Sequence, residues 1–195
     1  MQQRLQHDLI DISTARRRFL AQLAVLATVA GAPSAWAKDF EFSRWPAGEP
    51  VPSLQGTDLT GRAWRLANLR GRAVLLNFWA SWCPPCRAEM PSLQDMAAFY
   101  GSDKIVVLAV NFKESRTTAA RFARASAMTL PVLLDPDGDI ARQWGVHVFP
   151  TTVLINAAGR PSGVVQGEVD WTGQGGEQLV TPLLPASVPP PALRT

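Results

Sequence analysis

The sequence predicts an α/β fold, a mixed central sheet with helices on both faces. Three observations carry this expectation. Two near-continuous apolar runs, Ala73 to Trp79 and Ile105 to Phe112, suit strands that are covered on both faces. Segments of strand character and helix character alternate along the chain. Near the C-terminus, Thr152 to Ile155 and Val164 to Gln166 flank the turn Asn156 to Arg160, which adds an antiparallel hairpin.

The chain has 195 residues, 47% hydrophobic and 18% charged, enough for one domain with a real core plus targeting and tail segments. Its net charge is +3. Residues 1–37 hold Arg4, Arg16, Arg17 and Arg18 against Asp8 and Asp11, a net +2, which leaves +1 for the remainder. There is no Lys/Arg stripe interleaved with aromatics, so a nucleic-acid partner is not expected.

The first 37 residues read as a signal peptide. Arg16-Arg17-Arg18 is a basic start, and Phe19 to Gly31 is an apolar run too short to span a bilayer comfortably. Ala35-Trp36-Ala37 offers a cleavage site. Arg16 to Leu20 also resembles a twin-arginine signal, although Ala15 and Ala21 depart from that pattern; an ordinary secretory signal is the alternative. Export to the periplasm follows on either reading, with membrane anchoring if the segment stays uncleaved. Residues 38–50 read as a linker, 51–184 as the folded domain and 185–195 as a Pro-rich tail.

Within the domain, Leu54-Gln55 and Ala63 to Leu66 form an N-terminal β-hairpin around Thr57 to Gly61. The strand Ala73 to Trp79 leads into Cys83-Pro84-Pro85-Cys86, and a helix runs from Arg87 to Tyr100. After the strand Ile105 to Phe112, Ser115 caps a helix reaching Met128, with Phe122 toward the core. Val132 to Leu134 is a short strand ended by Asp135-Pro136-Asp137-Gly138. Ile140 to Trp144 is a short helix stopped by Gly145, and Glu177 to Leu184 is a terminal helix.

Cys83 and Cys86 are the only cysteines, and they sit where a strand ends and a helix begins. Free backbone N–H groups and the helix dipole favour a thiolate there. In an exported chain without a disulfide framework, a single pair points to a working redox couple. A structural disulfide and half a zinc site are the alternatives, but only His7 and His147 could complete a zinc site. Cys83 is the expected nucleophile, and Cys86, one turn inside, is the resolving thiol. Pro84 and Pro85 have no N–H to offer the Cys83 sulfur, so the amide of Cys86 is the nearest donor. With no histidine between the cysteines, this predicts a modestly stabilised thiolate and a reducing couple. Cys86, Glu89, Met90, Leu93 and Ala97 share one helical stripe, so Glu89 is expected to be partly buried beside the cysteines. A desolvated carboxyl there would exchange protons with a nearby thiol. A solvated Glu89 on the helix edge is the alternative.

Phe78 to Cys86 (FWASWCPPC), Pro91 and Val148 to Thr152 (VFPTT) occur in the order that resembles the thioredoxin superfamily, over about Val51 to Leu184. Cys83-x-x-Cys86-x-x-Glu89 and Val110 to Ser115 (VNFKES) resemble its exported TlpA/ResA-like branch. The resemblance implies a thioredoxin-like three-layer sandwich. It implies a thiol–disulfide oxidoreductase with Cys83, Cys86 and Glu89 as catalytic residues, and a cis bond before Pro150. It places Val148, Phe149 and Pro150 beside the cysteines, where Trp82, Pro84 and Pro85 complete the expected substrate-docking surface. Asn77 stands where cytoplasmic thioredoxin carries a buried acid, so any acid role moves elsewhere. The implied partners are disulfide-containing periplasmic clients, including apocytochrome c, and a membrane protein that donates reductant. No cofactor or metal is implied. Two other functions share the fold. A thiol peroxidase would need Pro-x-x-x-Thr-x-x-Cys, whereas Trp79 to Trp82 precedes Cys83. A copper carrier would more often use Cys-x-x-x-Cys with a distant His.

Overall fold

The computed structural model describes residues 40–186. The signal segment and all but the first two residues of the Pro-rich tail lie outside the described residues. The described part begins with β1 (Phe40–Arg44), β2 (Gln55–Thr57) and β3 (Ala63–Arg65), then β4 (Ala73–Trp79) and helix α1 (Pro84–Tyr100). It continues through β5 (Ile105–Phe112), α2 (Arg116–Ala125), β6 (Val132–Asp135) and α3 (Asp139–Gln143). It closes with β7 (Thr151–Ile155), β8 (Pro161–Gly167) and α4 (Gln174–Val180).

Six strands form one mixed sheet in the order β1-β8-β7-β4-β5-β6. β4, β5 and β6 are parallel, whereas β7, β8 and β1 add antiparallel pairings. β4 and β5 occupy the centre, and β4 is buried throughout, as their apolar runs require. Alternation along β4 divides the core in two. Ala73, Leu75 and Trp79 pack with Met90, Leu93 and Met96 of α1, Ala119 of α2 and Val180 of α4. Val74, Leu76 and Phe78 pack on the other face with Leu54, Trp64, Leu66 and Leu69, Ala141 of α3 and Trp144. Helices therefore cover both faces, and the architecture is the thioredoxin-like three-layer sandwich. β2 and β3 pair as a separate two-stranded sheet, and Asp58 between them bridges to Leu133 of β6.

Two segments differ from expectation. Residues 38–50 read as a linker, yet Phe40–Arg44 is strand β1, paired with β8 from Phe40↔Gly167 to Arg44↔Gly163. Its ladder bonds hold it at the sheet edge while four of its five residues stay exposed, which is why its composition looks like a linker. The terminal helix starts three residues earlier than Glu177 and includes Gly175 and Gly176. A Cβ at Gly176 would lie 2.5 Å from Cα of Trp171, so the glycine permits a close approach that helix propensity alone does not anticipate.

Candidate active site

β4 ends at Trp79, and the turn Ala80 to Cys83 delivers the two cysteines to the start of α1. Cys83 is the N-cap of α1, and Pro84 and Pro85 fill its first positions, where a missing N–H costs nothing. The two cysteines are joined as a disulfide. Cys83 is 4% exposed and Cys86 fully buried, so the outer sulfur is the one a partner can reach. The Cys86 amide donates to the Cys83 sulfur at 3.3 Å, the donor left once two prolines occupy the turn. The Cys83 amide donates to the Ala80 carbonyl, and the Cys83 carbonyl accepts from Arg87.

One turn further along α1, Glu89 is only 2% exposed. Its stripe runs as expected through Cys86, Met90 and Leu93, with Met96 as a further buried member. Asn77 faces α1 from the middle of β4, and its Nδ2 donates to Glu89 Oε1 at 2.7 Å and to Thr152 Oγ1 at 3.0 Å. The other carboxylate oxygen accepts from the Val169 amide at 3.2 Å and the Trp171 indole N–H at 3.3 Å. Burial pushes the Glu89 carboxyl up, and the three hydrogen bonds pull it back only in part, so it rests at about 7. The nearby Glu168 charge adds to the rise. Near neutral pH this group is poised to take up or release a proton.

The loop before β7 lies against the cysteine turn. The Phe149–Pro150 peptide bond is cis. Pro150 is buried, Phe149 half-buried and Val148 49% exposed. Trp82, 60% exposed, meets the Phe149 ring edge-on at 6.1 Å, and Phe149 rests on Phe112 of β5 at 4.6 Å. The Thr151 hydroxyl donates to the Val148 carbonyl at 2.8 Å, which ties the loop to β7. Pro84 is exposed and Pro85 half-buried beside them in sequence. His147 is exposed, and no cluster of metal-ligating side chains exists among the described residues.

Several residues at the site had no assigned role in the sequence. Asn77 marks the loss of an acid by comparison with cytoplasmic thioredoxin, yet it is the direct partner of the acid on the facing helix. Its place on the same β4 face as Trp79 and Leu75 was the available signal. Trp171 carries no motif, and nothing local pairs it with Glu89, 82 positions away. Glu114 likewise carries no motif of its own, and Ser115 caps α2 with its hydroxyl as expected. Glu114 bonds Ser81 in the cysteine turn.

Comparison with known proteins agrees with this geometry. The model of the AhpC/TSA family matches residues 47–160. The thiol-disulfide oxidoreductase ResA of Geobacillus thermodenitrificans is 35% identical over 120 residues, 62% of this chain and 69% of that protein. ResA of Bacillus subtilis is 34% identical over 120 residues, 62% of this chain and 67% of its own length. Among solved structures, a DsbF homologue from Corynebacterium diphtheriae superposes with a TM-score of 0.63 at 32% identity, covering 78% of this chain and 97% of the other. StoA from Bacillus subtilis gives a TM-score of 0.55 at 28% identity over 61% of this chain and 91% of that one. The chain belongs to the AhpC/TSA family and, within the thioredoxin superfamily, to the ResA-like thiol–disulfide oxidoreductases.

Proposed function

We propose that this oxidoreductase works as a reductase of disulfides in exported client proteins, with Cys83 as nucleophile, Cys86 as resolving thiol and Glu89 as proton carrier. The Cys83 thiolate attacks one sulfur of a client disulfide. The client S–S bond breaks, a Cys83–client mixed disulfide forms, and the departing client thiolate takes a proton. Cys86 then gives its proton to Glu89 and attacks the Cys83 sulfur. The second client sulfur leaves, and two electrons have passed to the client. The Cys83–Cys86 disulfide that remains is the oxidised state seen here.

The observation that carries the direction is the sparse donor set around Cys83. One amide, at 3.3 Å, points at its sulfur, and no histidine lies between the cysteines. A thiolate held this lightly belongs to a reducing couple, because strong oxidants of this type are those whose reduced form is stabilised. Trp82, Pro84 and Pro85 on one side and Val148, Phe149 and Pro150 on the other would border the groove for an extended client segment. The signal-like residues 1–37 support a periplasmic location, soluble if cleaved and anchored if not. Apocytochrome c haem-attachment cysteines are candidate clients, and a membrane thiol-reductant protein is the candidate donor.

The test is a Cys86→Ser variant expressed in the native compartment. It should accumulate mixed disulfides with client proteins through Cys83, and the wild-type couple should equilibrate well below the glutathione pool of an oxidising compartment. A potential as oxidising as about −120 mV would overturn the reductase reading. Rapid peroxide consumption, or tight copper binding without exchange, would replace it with a peroxidase or a copper carrier.

A further inference from the structure

The cysteine turn has a second anchor that the chemistry above does not use. Glu114 follows β5, and its carboxylate accepts three hydrogen bonds. The Ser81 amide donates to Oε2 at 2.8 Å, and the Ser81 hydroxyl donates to Oε1 at 2.5 Å. Nδ2 of the fully buried Asn111 donates to Oε2 at 2.7 Å. A carboxylate is an acceptor only, so three converging donors suit it and bonds of this kind are among the stronger ones.

The backbone bends to make this contact. Lys113, between Phe112 and Glu114, has φ +52°, a left-handed conformation that costs a non-glycine residue free energy. Such conformations persist where the surroundings over-determine them, and they cluster at functional sites. Here the bend separates two supports of one surface. Phe112, before it, carries the Phe149 ring. Glu114, after it, holds Ser81, whose neighbour Trp82 meets the same Phe149 ring edge-on.

Cys83 has its own supports. Its amide is held by Ala80, its carbonyl by Arg87 and its sulfur by the Cys86 amide. The Glu114 carboxylate bonds neither the Cys83 carbonyl nor its sulfur; it reaches the Cys83 amide only through the Ala80–Ser81 peptide, and it fixes the residue on the far side of Trp82. We propose that Glu114, aimed by the Lys113 bend and backed by Asn111, is a positioning residue that sets Trp82 against Phe149 and so governs docking of protein disulfides more than thiol reactivity. This rests on the reading of Trp82 and Phe149 as the docking wall.

The experiment compares insulin, a protein disulfide, with hydroxyethyl disulfide, a small one, as substrates of the full chain. Glu114→Ala should lower kcat/KM for insulin roughly tenfold more than for hydroxyethyl disulfide, with the loss in KM. Glu114→Gln keeps an acceptor for the Ser81 amide and should recover part of that difference, leaving insulin selectivity about threefold below wild type. An equal fall on both substrates, no fall on either, or a loss confined to kcat would overturn the proposal. If Glu114→Ala does not fold, by circular dichroism, Glu114→Gln decides: its insulin selectivity should drop about threefold, and an unchanged ratio is a refutation. Trp82→Ala separates the two ideas. Insulin selectivity unaffected by Trp82→Ala removes the docking wall itself; selectivity lost there but kept in Glu114→Ala removes only the clamp.

Discussion

Glu89 is surrounded by donors: Asn77 on one oxygen, Val169 and Trp171 on the other. Such a cage suits the charged form, while burial opposes it, and the balance at about 7 is what the proposed proton exchange with Cys86 would use. Asn77 can serve both forms. Its Oδ1 is buried without a partner among the described residues, so an amide turned over would accept from a protonated Glu89 where it now donates to a charged one. The same property lets glutamine fit the site, with Oε1 toward Val169 and Trp171 and Nε2 toward Asn77. Glu89→Gln should therefore fold and isolate the charge. We expect its exchange rate at pH 8 to fall roughly a hundredfold, and the titration near pH 7 to vanish from the rate profile. An unchanged stopped-flow pH profile would remove Glu89 from the mechanism. Much of this cluster was legible in sequence. The Cys86–Glu89–Met90–Leu93 spacing placed the acid inward. Its partners were less so: alternation along β4 put Asn77 on the face toward α1 without naming its partner, and Val169 and Trp171 reach Glu89 from the far end of the chain, where no local pattern records the contact.

At the level of elements, the central strands were written plainly, since seven- and eight-residue apolar runs have few other places to go. β1 was not, and the reason is its position. Phe40 and Phe42 alternate with Glu41 and Ser43, but Phe40 is only half-buried and Phe42 stays 45% exposed, and Trp45-Pro46-Ala47-Gly48 follows at once. What admits β1 lies 120 residues away, in the bareness of Gly163. A Cβ there would sit 2.4 Å from the Phe42 ring and 2.6 Å from the Ser43 carbonyl oxygen. The ring could turn aside, but the backbone oxygen moves only with the strand. Gly163→Ala should thus loosen β1 and cost roughly 1–3 kcal/mol in urea unfolding. Faster amide exchange is expected in residues 40–44 while β4 and β5 keep their protection. An unshifted urea midpoint with unaltered exchange would show that β1 does not depend on that close approach.

For the molecule as a whole, the buried acids pull stability in opposite directions with pH. Asp58, between β2 and β3, is pushed up by burial, but bonds from Thr60, Trp64 and Arg62 outweigh this and leave its carboxyl below the usual range. Its contribution is present above the ordinary carboxylate range and is lost as pH falls through its lowered value. Glu89 behaves oppositely. Its folded value of about 7 lies above the ordinary 4.5, so between those limits the native state binds the extra proton. Stability then declines as pH rises from about 4.5 to about 7 and levels off above, by about 3 kcal/mol in all. Together the two acids favour the oxidised protein on the acid side of neutrality. Urea unfolding at pH 5 and pH 8 measures this directly. The wild type should be weaker at pH 8, and Glu89→Gln, which cannot ionise, should lose most of the difference. A slope that survives in the variant would assign the pH dependence to other groups. A flat wild type would mean that Glu89 titrates alike folded and unfolded. The charged Glu89 that weakens the fold above neutrality is also the form able to take the Cys86 proton, so the stability lost across this pH range and the exchange rate gained over it should report the same titration.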